Sequence, residues 1–508
     1  MLEDLVRGVP TLAVQGSLLR EVAAVTCDAR RVLPKGMYVA MPDDEEAHDA
    51  AVVEAVERGA GVVVSELPLA CGARATAIRV ANVREALSRI SCRFHGDPSR
   101  GLKVIGVTGG WTRATVSIFL RQILEQANHR VALIGSIRCE IGTRIFPGLS
   151  ADAESLNYDA MIASALRLGC DTAVVELPPE FLMEGGSNSL KIGLMVVARG
   201  EPLDDGIINA LGQHLEHRWQ SDETPVVLHS DDSLGSGLLG LERFGIANTY
   251  GLGRSAQCRA THLELLRDST KFVFEANGAS QSTLSPLVGR CLVTDAIAAM
   301  AAGVACGVSL PVLMKAASRF SAPGVLQQVR RASGRSIFVD GARSPRQFQE
   351  SLQSLRELCS GQLLVVTGAS ADLGSEDAAL MGEVAARFAN STFVTSNDPG
   401  EISPDSLARS VVRGYARHRN DGATVLLDRR VAICSAIECA RPGDIVLIAG
   451  KGIRTYQEVD HTVIPFDDFQ VVREALDDLP ALDLMSEPIK PAIAPKAPAF
   501  SPLVLIHN

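Results

Sequence analysis

The sequence that decides the fold is Leu102-Lys103-Val104-Ile105-Gly106-Val107-Thr108-Gly109-Gly110-Trp111-Thr112-Arg113-Ala114-Thr115. Its first six residues form an apolar run rich in β-branched side chains, which predicts a buried parallel strand. Glycines follow, and a helical pattern then extends from about Thr115 to Asn128. A strand, a glycine-rich turn and a helix in this order are typical of a loop that holds phosphate with backbone N–H groups and a helix N-terminus.

The same loop lacks side chains that phosphate chemistry requires. A loop of this type uses a Lys to reach the terminal phosphate and a Ser or Thr hydroxyl to hold Mg²⁺. Arg113 stands at the Lys position and Ala114 at the hydroxyl position. Thr112 stands where such loops have a Gly that lets the backbone come close to the phosphate. Two interpretations stay open from these residues: a site for Mg-ATP, or a strand–turn–helix that only closes the fold. The candidate nucleotide-binding residues of the loop are Gly106, Thr108, Gly109, Gly110 and Arg113.

The organisation of the chain extends outward from this stretch. At about 150 residues per domain, 508 residues predict three or four domains. Short apolar strands alternate with helical stretches, which predicts an α/β fold with parallel sheets. We predict a small N-terminal α/β domain (1–101), a central doubly wound parallel sheet of the P-loop type (102–329), a C-terminal Rossmann-like domain (330–478) and a Pro- and Ala-rich tail (479–508) without packed structure.

Charge and composition exclude several classes of protein. The chain has 49 Lys and Arg against 59 Asp and Glu, a net charge of −10, and no basic block, so no nucleic-acid partner is expected. No run of 18 apolar residues exists, so no membrane span is expected. The N-terminus lacks the pattern of a signal peptide. Eleven scattered cysteines are interpreted as reduced thiols, and the predicted location is cytoplasmic.

Several longer motifs occur in order along residues 20–477. They are Asp28-Ala29-Arg30 with 32–40, Ile105–Gly109, Ala440-Arg441-Pro442-Gly443-Asp444, Ala449-Gly450-Lys451-Gly452, Thr455-Tyr456-Gln457 and 464–468. In this order they resemble the Mur ligases, the three-domain ATP-dependent amide ligases of peptidoglycan precursor synthesis. Within that family the motifs are nearest to those of the enzyme that adds the third stem-peptide residue, diaminopimelate or lysine.

The resemblance implies roles for residues of the first two domains. Asp28 and Arg30 match a motif near the UDP site. Glu176 matches a Mg²⁺ ligand, the one residue kept from an EVSSH motif. Glu216 falls, by ungapped count, on a carbamylated Lys of the family, and a solvated helix residue is the alternative interpretation. The acidic residues kept on the nucleotide side are Asp231 and Asp232.

In the third domain the resemblance implies an amino-acid site. It consists of Asn397, Asp398, Gly450 and Lys451, with Asp340 as a further catalytic candidate.

Departures from the family's motifs fall in every site. In the ATP site, Thr112-Arg113-Ala114 replaces GKT and His229 replaces an Asn. Two further motifs, TTP and DHLD, are altered at 150–152 and 201–204. In the amino-acid site, the His of DYAHTP becomes Arg343, the Arg of DNPR becomes Gly400, and the Glu of GKGHE becomes Arg454.

Amide ligation has three requirements. Mg-ATP must be bound, the charge of the acyl phosphate must be neutralised, and the incoming amine must be positioned for attack. The loss of one electrostatic contact typically costs about 10²–10³ in rate. The sequence therefore predicts a non-catalytic homologue with a binding, scaffolding or regulatory role. No cofactor is predicted for it. Its expected partners are a UDP-muramoyl-peptide or a protein of cell-wall synthesis. The alternative is a divergent, active ligase that forms ADP from Mg-ATP. It is motivated by the carboxylates and the cation that are retained at Glu176, Asp231, Asp232, Asp340 and Lys451.

Overall fold

A computed structural model describes residues 1–41, 45–68, 74–150, 153–200, 208–213, 215–216, 224–240, 248–332, 335–419, 421–460 and 462–478. The described residues fall into two units. The first unit consists of Met1–Arg259, Phe274–Gln281 and Asp295–Ala316, and the second of Ala260–Val273, Ser282–Thr294 and the chain from Ala317 onward. The four segments predicted from the sequence divide the chain more finely than these two units, and their boundaries stay predictions. The predicted tail lies outside the described residues.

The N-terminal part of the first unit is a five-stranded α/β layer. Its strands, in spatial order, are Thr11–Gln15, Thr76–Val80, Ala60–Ser65, Gly36–Val39 and Val25–Thr26. The first pair is antiparallel and the other pairs are parallel. Helix Val83–Phe94 begins at Asn82, whose side chain accepts a hydrogen bond from Glu85 N at 2.9 Å. Its Val83, Leu87 and Ile90 are buried at helical spacing.

The central sheet of the first unit is parallel over six strands. They are, in spatial order, Asn248–Gly251, Val226–His229, Ile192–Ala198, Lys103–Gly109, Thr172–Glu176 and Val131–Ile134. The antiparallel hairpin Arg138–Ile141 and Arg144–Pro147 extends this edge. The strand predicted at 102–107 is observed as Lys103–Gly109 in the middle of this sheet, and six of the seven residues of the observed strand are buried. The doubly wound parallel sheet is thereby confirmed.

Three further strands of the same sheet, which the sequence analysis did not predict, come next along the chain, and the first of them pairs in parallel with Asn248–Gly251. They are Cys258–Leu265, Thr270–Ala276 and Ala279–Ser285. Exposed and buried residues alternate along Thr270–Ala276, because one face of the strand is solvated.

The second unit contains a six-stranded sheet. Its strands, in spatial order, are Gln327–Ala332, Arg335–Asp340, Ile445–Ala449, Leu363–Thr367, Ser391–Val394 and Thr424–Val425. Only the first pair is antiparallel. A separate hairpin pairs Tyr456–Val459 with Thr462–Pro465. This mostly parallel sheet confirms the Rossmann-like α/β fold predicted for the C-terminal region.

Helices cover the sheets and connect their strands. The described helices are Leu2–Val6, Glu45–Glu57, Val83–Phe94, Arg113–Gln126, Ser155–Arg167, Pro179–Met183, Ser233–Leu239, Arg290–Ala305, Leu310–Ala317, Pro345–Leu358, Ser375–Phe388, Pro404–Tyr415, Arg429–Cys439 and Asp468–Asp478. In the described part of the chain, no helix combines the length and apolar character needed to cross a bilayer.

Strand register decides which residues meet. Glu176 pairs with Val107, and Ala198 pairs with Gly109, so three neighbouring strands end together. Because the strands are parallel, their carboxyl ends share one edge of the sheet, where α/β folds bind ligands.

Candidate functional site

The glycine-rich loop packs tightly against the segment that follows strand Ile192–Ala198. A Cβ atom on Gly110 would lie 2.1 Å from Gly200 Cα, so only glycine fits there. Gly110 N donates a hydrogen bond to Ala198 O at 3.2 Å. Thr112 Oγ1 donates to Arg199 O at 3.0 Å. One loop amide and the Thr112 hydroxyl are thus engaged by the chain itself.

Arg113 folds back onto the loop that precedes it. Its Nη1 donates to the carbonyl oxygens of Gly109 and, at 2.9 Å, Gly110. A guanidinium bound to these carbonyls does not extend as a phosphate-reaching Lys would.

Two other predicted loop residues lie in the strand and are buried there. A Cβ on Gly106 would meet Leu177 at 2.9 Å and Met195 at 3.0 Å, so close packing explains this glycine. Thr108 is fully buried, and its hydroxyl makes no hydrogen bond within the described residues.

Glu176 ends its strand in a buried position, with 6% of its surface exposed. Its Oε2 accepts hydrogen bonds from Ser136 N at 3.2 Å and Ser136 Oγ at 2.8 Å. A Cβ on Gly135 would lie 2.1 Å from Oε1, so the glycine makes room for the carboxylate. Burial raises the pKa of Glu176, and the Ser136 hydrogen bonds and the charge of Arg113 only partly oppose this.

A cavity of about 510 Å³ opens beside Glu176 within the first unit. Its charged lining residues are Arg84, Arg113, Glu154, Glu176, Glu180 and Glu184. The rings of Tyr158 and Phe181, with centroids 4.7 Å apart, supply part of the apolar wall. This volume is in the range of small-molecule sites.

Asp231 and Asp232, the acidic pair predicted on the nucleotide side, accept hydrogen bonds from backbone N–H groups. Asp232 accepts a hydrogen bond from Gly235 N at 2.7 Å and caps helix Ser233–Leu239. Asp231 Oδ2 accepts from Leu252 N and Gly253 N, each at 2.8 Å.

His229 packs edge-on against Tyr250, with ring centroids 4.8 Å apart. Burial lowers the pKa of His229 in spite of the charges of Asp232 and Asp231. The imidazole is therefore stabilised in its neutral form.

An ion pair that the sequence analysis missed lies close to this region. Arg199 Nε is 2.8 Å from Asp295 Oδ1, and Asp295 is 3% exposed. The Tyr250 hydroxyl accepts from Arg199 N and donates to Val197 O, each at 3.1 Å. The two charges are 96 residues apart in sequence, and no local pattern indicates that they pair.

In the second unit, the four predicted amino-acid-site residues are brought together. Lys451 Nζ lies 2.9 Å from Asp398 Oδ1, and both side chains are buried. Arg454 Nη1 lies 3.2 Å from Asp398 Oδ2. A Cβ on Gly450, whose φ is +115°, would lie 2.5 Å from Asn397 Nδ2.

Burial lowers the pKa of Lys451, although the charge of Asp398 acts in the opposite direction. Burial opposes ionisation of Asp398, but Lys451 and Arg454 hold its pKa below the usual value.

Asp340 lies at the same sheet edge and is 2% exposed. Its carboxylate accepts hydrogen bonds from the Ser351 hydroxyl and from Leu326 N at 3.3 Å. Burial raises the pKa of Asp340, against these hydrogen bonds. Its backbone oxygen accepts from Gly450 N at 2.9 Å, which joins it to the Lys451 loop.

The other predicted residues lie apart from these groups. Asp28 accepts hydrogen bonds from Arg30 N at 3.0 Å and Arg30 Nε at 3.1 Å, within the helical turn Ala29–Arg31. Glu216 is helical, and most residues around it in sequence lie outside the described residues, as do 151–152 and 201–204. Among the described side chains, no group of three or more His, Cys, Asp or Glu residues is arranged to hold a metal. The Mg²⁺ role of Glu176 stays a prediction.

Comparisons with known proteins agree with this fold. The family profile of the Mur ligase glutamate ligase domain matches residues 326–452. The chain is similar to the UDP-N-acetylmuramoyl-L-alanyl-D-glutamate–2,6-diaminopimelate ligase of Caldanaerobacter subterraneus, at 26% identity over 478 residues (94% of this chain, 98% of that protein). The same enzyme of Geobacter sulfurreducens is 28% identical over 513 residues (92% and 97%).

Solved structures give the same result. A UDP-N-acetylmuramoyl-L-alanyl-D-glutamate–2,6-diaminopimelate ligase matches with a TM-score of 0.64 at 25% identity, over 94% of this chain and 98% of that one. MurF from Acinetobacter baumannii matches with 0.60 at 18% identity (94% and 98%), and folylpolyglutamate synthase from Mycobacterium tuberculosis with 0.58 at 17% (71% and 91%). At these lower identities the likeness shows the fold alone.

Proposed function

We propose, from the premise that this chain belongs to the Mur ligase family, that it has kept the fold without the ligase chemistry. It acts in peptidoglycan precursor synthesis as a cytoplasmic binding, scaffolding or regulatory protein. The ten described cysteines are all free thiols, in keeping with that compartment. The observation that carries the proposal is the guanidinium of Arg113, bound to the carbonyls of Gly109 and Gly110.

The loop residues do not fit Mg-ATP. Ala114 offers no side-chain oxygen to a magnesium ion, and Arg113 is turned toward the loop instead of away from it. The N–H of Gly110, a donor of the kind that cradles phosphate, is bonded to Ala198 O. These features together support the proposal that the loop does not bind a nucleotide.

The second unit supports the same proposal. Asp398 is the buried carboxylate at the predicted amino-acid site, and Lys451 and Arg454 already occupy both its oxygens. An incoming ammonium would have to displace one of these cations from a buried carboxylate, which is costly. The chain thus fills its own amine site.

The test is nucleotide binding and turnover. We expect calorimetric titration with Mg-ATP to give no saturable heat. We expect no ADP release above a protein-free blank when UDP-N-acetylmuramoyl-L-alanyl-D-glutamate and an amino acid are added. The Geobacter sulfurreducens ligase, run in parallel, validates the assay. Amine-dependent ADP release by this chain would overturn the proposal.

The proposed ligand is a UDP-muramoyl-peptide, bound without turnover. Saturable binding of that compound in the absence of ATP supports a sensor or carrier role. If it does not bind, the role as carrier is excluded, and a protein partner from cell-wall synthesis becomes the remaining form of the proposal.

A second candidate function is a divergent amide ligase that forms ADP. It is favoured by Glu176, which faces a cavity of about 510 Å³ next to Arg113 and retains a carboxylate there. A broad amine screen for ADP release separates it from the first proposal.

Restoring the two lost loop side chains is expected to leave the chain inactive. In the double variant Arg113→Lys with Ala114→Thr, Gly110 N stays bonded to Ala198 and Asp398 stays paired. Each remaining loss is of a kind that costs about 10²–10³ in rate, so ADP release should stay at the level of the blank. Arg130→Lys, on an exposed Arg of the same unit, is the matched control. Ligation by the double variant would contradict the proposal that catalytic groups have been lost from more than one site.

A further inference from the structure

We propose that the open edge of strand Thr11–Gln15 is a docking site for an acidic, apolar segment of a partner protein, which adds to the sheet as a further strand. The inference goes beyond the proposed function, because this edge is open whether or not the chain turns over ATP.

The first argument is the backbone of the strand. Thr11–Gln15 lies at the end of the five-stranded N-terminal sheet and pairs on one side with Thr76–Val80, irregularly between Thr11 and Ala13 and regularly from Ala13 to Gln15. Within the described residues no strand pairs with its other side. Charged residues or proline commonly protect such edges, and Thr-Leu-Ala-Val-Gln contains neither. The strand therefore presents unpaired backbone groups to another chain.

The second argument is exposed apolar surface at this edge. Leu12 is 61% exposed and Val14 is 40% exposed, although both are apolar. Leu19, which follows the strand, is 75% exposed, the largest value among the large apolar side chains of the described residues. The segment between them is held beside the neighbouring strand, because Thr76 Oγ1 donates to Ser17 O at 2.9 Å. Apolar surface of this kind is stabilised when a partner covers it.

The third argument is positive charge around the edge. Arg79 stands opposite Ala13 on the neighbouring strand, and Arg74 lies two residues before that strand begins. Arg20 Nη1 donates to Arg74 O at 3.4 Å, which brings a third guanidinium to the same place. Arg20 and Arg79 bind backbone carbonyls, and none of the three arginines forms an ion pair within the described residues. Their charge is available to an acidic partner.

Acidic side chains of the adjoining segments do not cancel this charge. Asp4 and Glu21 are paired with Arg7 and Lys35, each at 2.9 Å. Glu66, beside Arg79, directs its carboxylate to a backbone N–H at 2.8 Å. The three arginines outnumber this one carboxylate, so the edge attracts negative charge.

These charges also argue against a second copy of this chain as the occupant. Two identical edges that pair around a two-fold axis bring the same arginines together, and like charges across a strand pair are destabilising. An extended segment with an apolar centre and Asp or Glu at its ends has the opposite charge. Its backbone supplies the ladder hydrogen bonds, and its apolar side chains cover Leu12 and Val14.

The test uses the full chain and two labelled peptides, since the partner is unidentified. One peptide is Asp-Val-Leu-Val-Ile-Glu and the other is Lys-Val-Leu-Val-Ile-Lys, which has the same apolar centre. Fluorescence anisotropy is expected to show saturable binding of the acidic peptide and about tenfold weaker binding of the lysine peptide. An acidic peptide with proline at its two central positions should not bind, because proline cannot donate to a ladder.

Variants of the chain separate the charge from the apolar surface. Arg74→Glu reverses an exposed charge and should weaken binding of the acidic peptide about tenfold. Arg144→Glu makes the same change on an exposed arginine of a different sheet and should leave the affinity unchanged. The double variant Leu12→Ser with Val14→Ser keeps the arginines and should also weaken binding about tenfold.

Several outcomes would overturn the inference. They are no saturable binding of the acidic peptide, equal binding of the lysine peptide, or an unchanged affinity in Arg74→Glu. A dimer in light scattering that Leu12→Ser with Val14→Ser dissolves would assign the edge to a second copy and overturn it as well. If this double variant loses the circular dichroism of the parent, Arg74→Glu and the peptide pair still decide. The proposed function is reported by ADP release and not by peptide binding, so the two fail separately.

Discussion

Replacing Asp468 with Asn is expected to lower the free energy of unfolding by about 3–5 kcal/mol. Asp468 and Arg429 are buried, with side chains 0% and 1% exposed. The guanidinium meets the carboxylate through two hydrogen bonds, of 2.8 Å from Nε and 2.7 Å from Nη2. Nη2 also donates to Ala449 O at 3.0 Å, which fixes the end of a central strand. Removal of the negative charge leaves a buried guanidinium without compensation.

Urea unfolding, followed by circular dichroism, measures this loss. The matched control is Glu474→Gln, which breaks the neighbouring but exposed pair with Arg430 and should cost less than about 1 kcal/mol. The double variant Arg429→Met with Asp468→Leu should recover most of the stability, because no charge stays buried. A loss below about 1 kcal/mol in Asp468→Asn would show that the pair is not buried as described.

The second large effect is a dependence of stability on pH that disappears in Asp159→Asn. Asp159 is 1% exposed and joins two helices, because Ser91 Oγ donates to its Oδ2 at 2.6 Å. Burial raises the pKa of Asp159 to about 7, and the nearby charge of Asp97 adds to this against the Ser91 hydrogen bond. The folded chain thus holds a proton that the unfolded chain releases near pH 4.

The sign of the effect follows from this difference in proton binding. Between about pH 4 and pH 7 the folded state binds more protons, so stability falls as pH rises. At about 1.4 kcal/mol per pH unit the total is about 4 kcal/mol. Asp159→Asn carries no titrating group there. Relative to its value below pH 4, the stability of the variant over the parent should therefore grow by about 1 kcal/mol at pH 4.5 and by about 4 kcal/mol at pH 7.5.

Urea titrations of both proteins across this pH range check the prediction. Their difference isolates Asp159, since every other group titrates in both. Glu57→Gln, at an exposed Glu of the same unit, should run parallel to the parent. Parallel curves for Asp159→Asn and the parent would contradict the raised pKa.

Much of the fold was predictable because buried parallel strands leave a direct trace in sequence. The run at 103–107 and the runs at 172–176 and 445–449 are apolar and β-branched, and each is a central strand. Strand Thr11–Gln15 was missed because all five of its residues are exposed, so no burial pattern marks it. The start of helix Glu45–Glu57 is hard to locate from sequence, because its first turn is acidic and not apolar.

The candidate site was predictable only in part. The motifs assign Asn397, Asp398, Gly450 and Lys451 to one amino-acid site. The structure brings these four residues together, and their role stays a prediction. The ion pair Arg199–Asp295 was not predicted, since long-range partners have no local signal. The capping role of Asp232 did have a local signal in the sequence, because this Asp directly precedes the serine that begins a helix.

The sequence by itself determined the α/β class, the order of the strands along the chain and the residue types that each loop offers. These follow from local patterns of apolar, glycine and charged residues, which act over a few neighbours. Only the tertiary structure decided where the charges point. Arg113 turns back onto Gly109 and Gly110, and the carboxylate of Glu176 turns toward Ser136. The direction of a buried charge depends on partners that distant strands bring together, so it is fixed by packing and not by spacing along the chain.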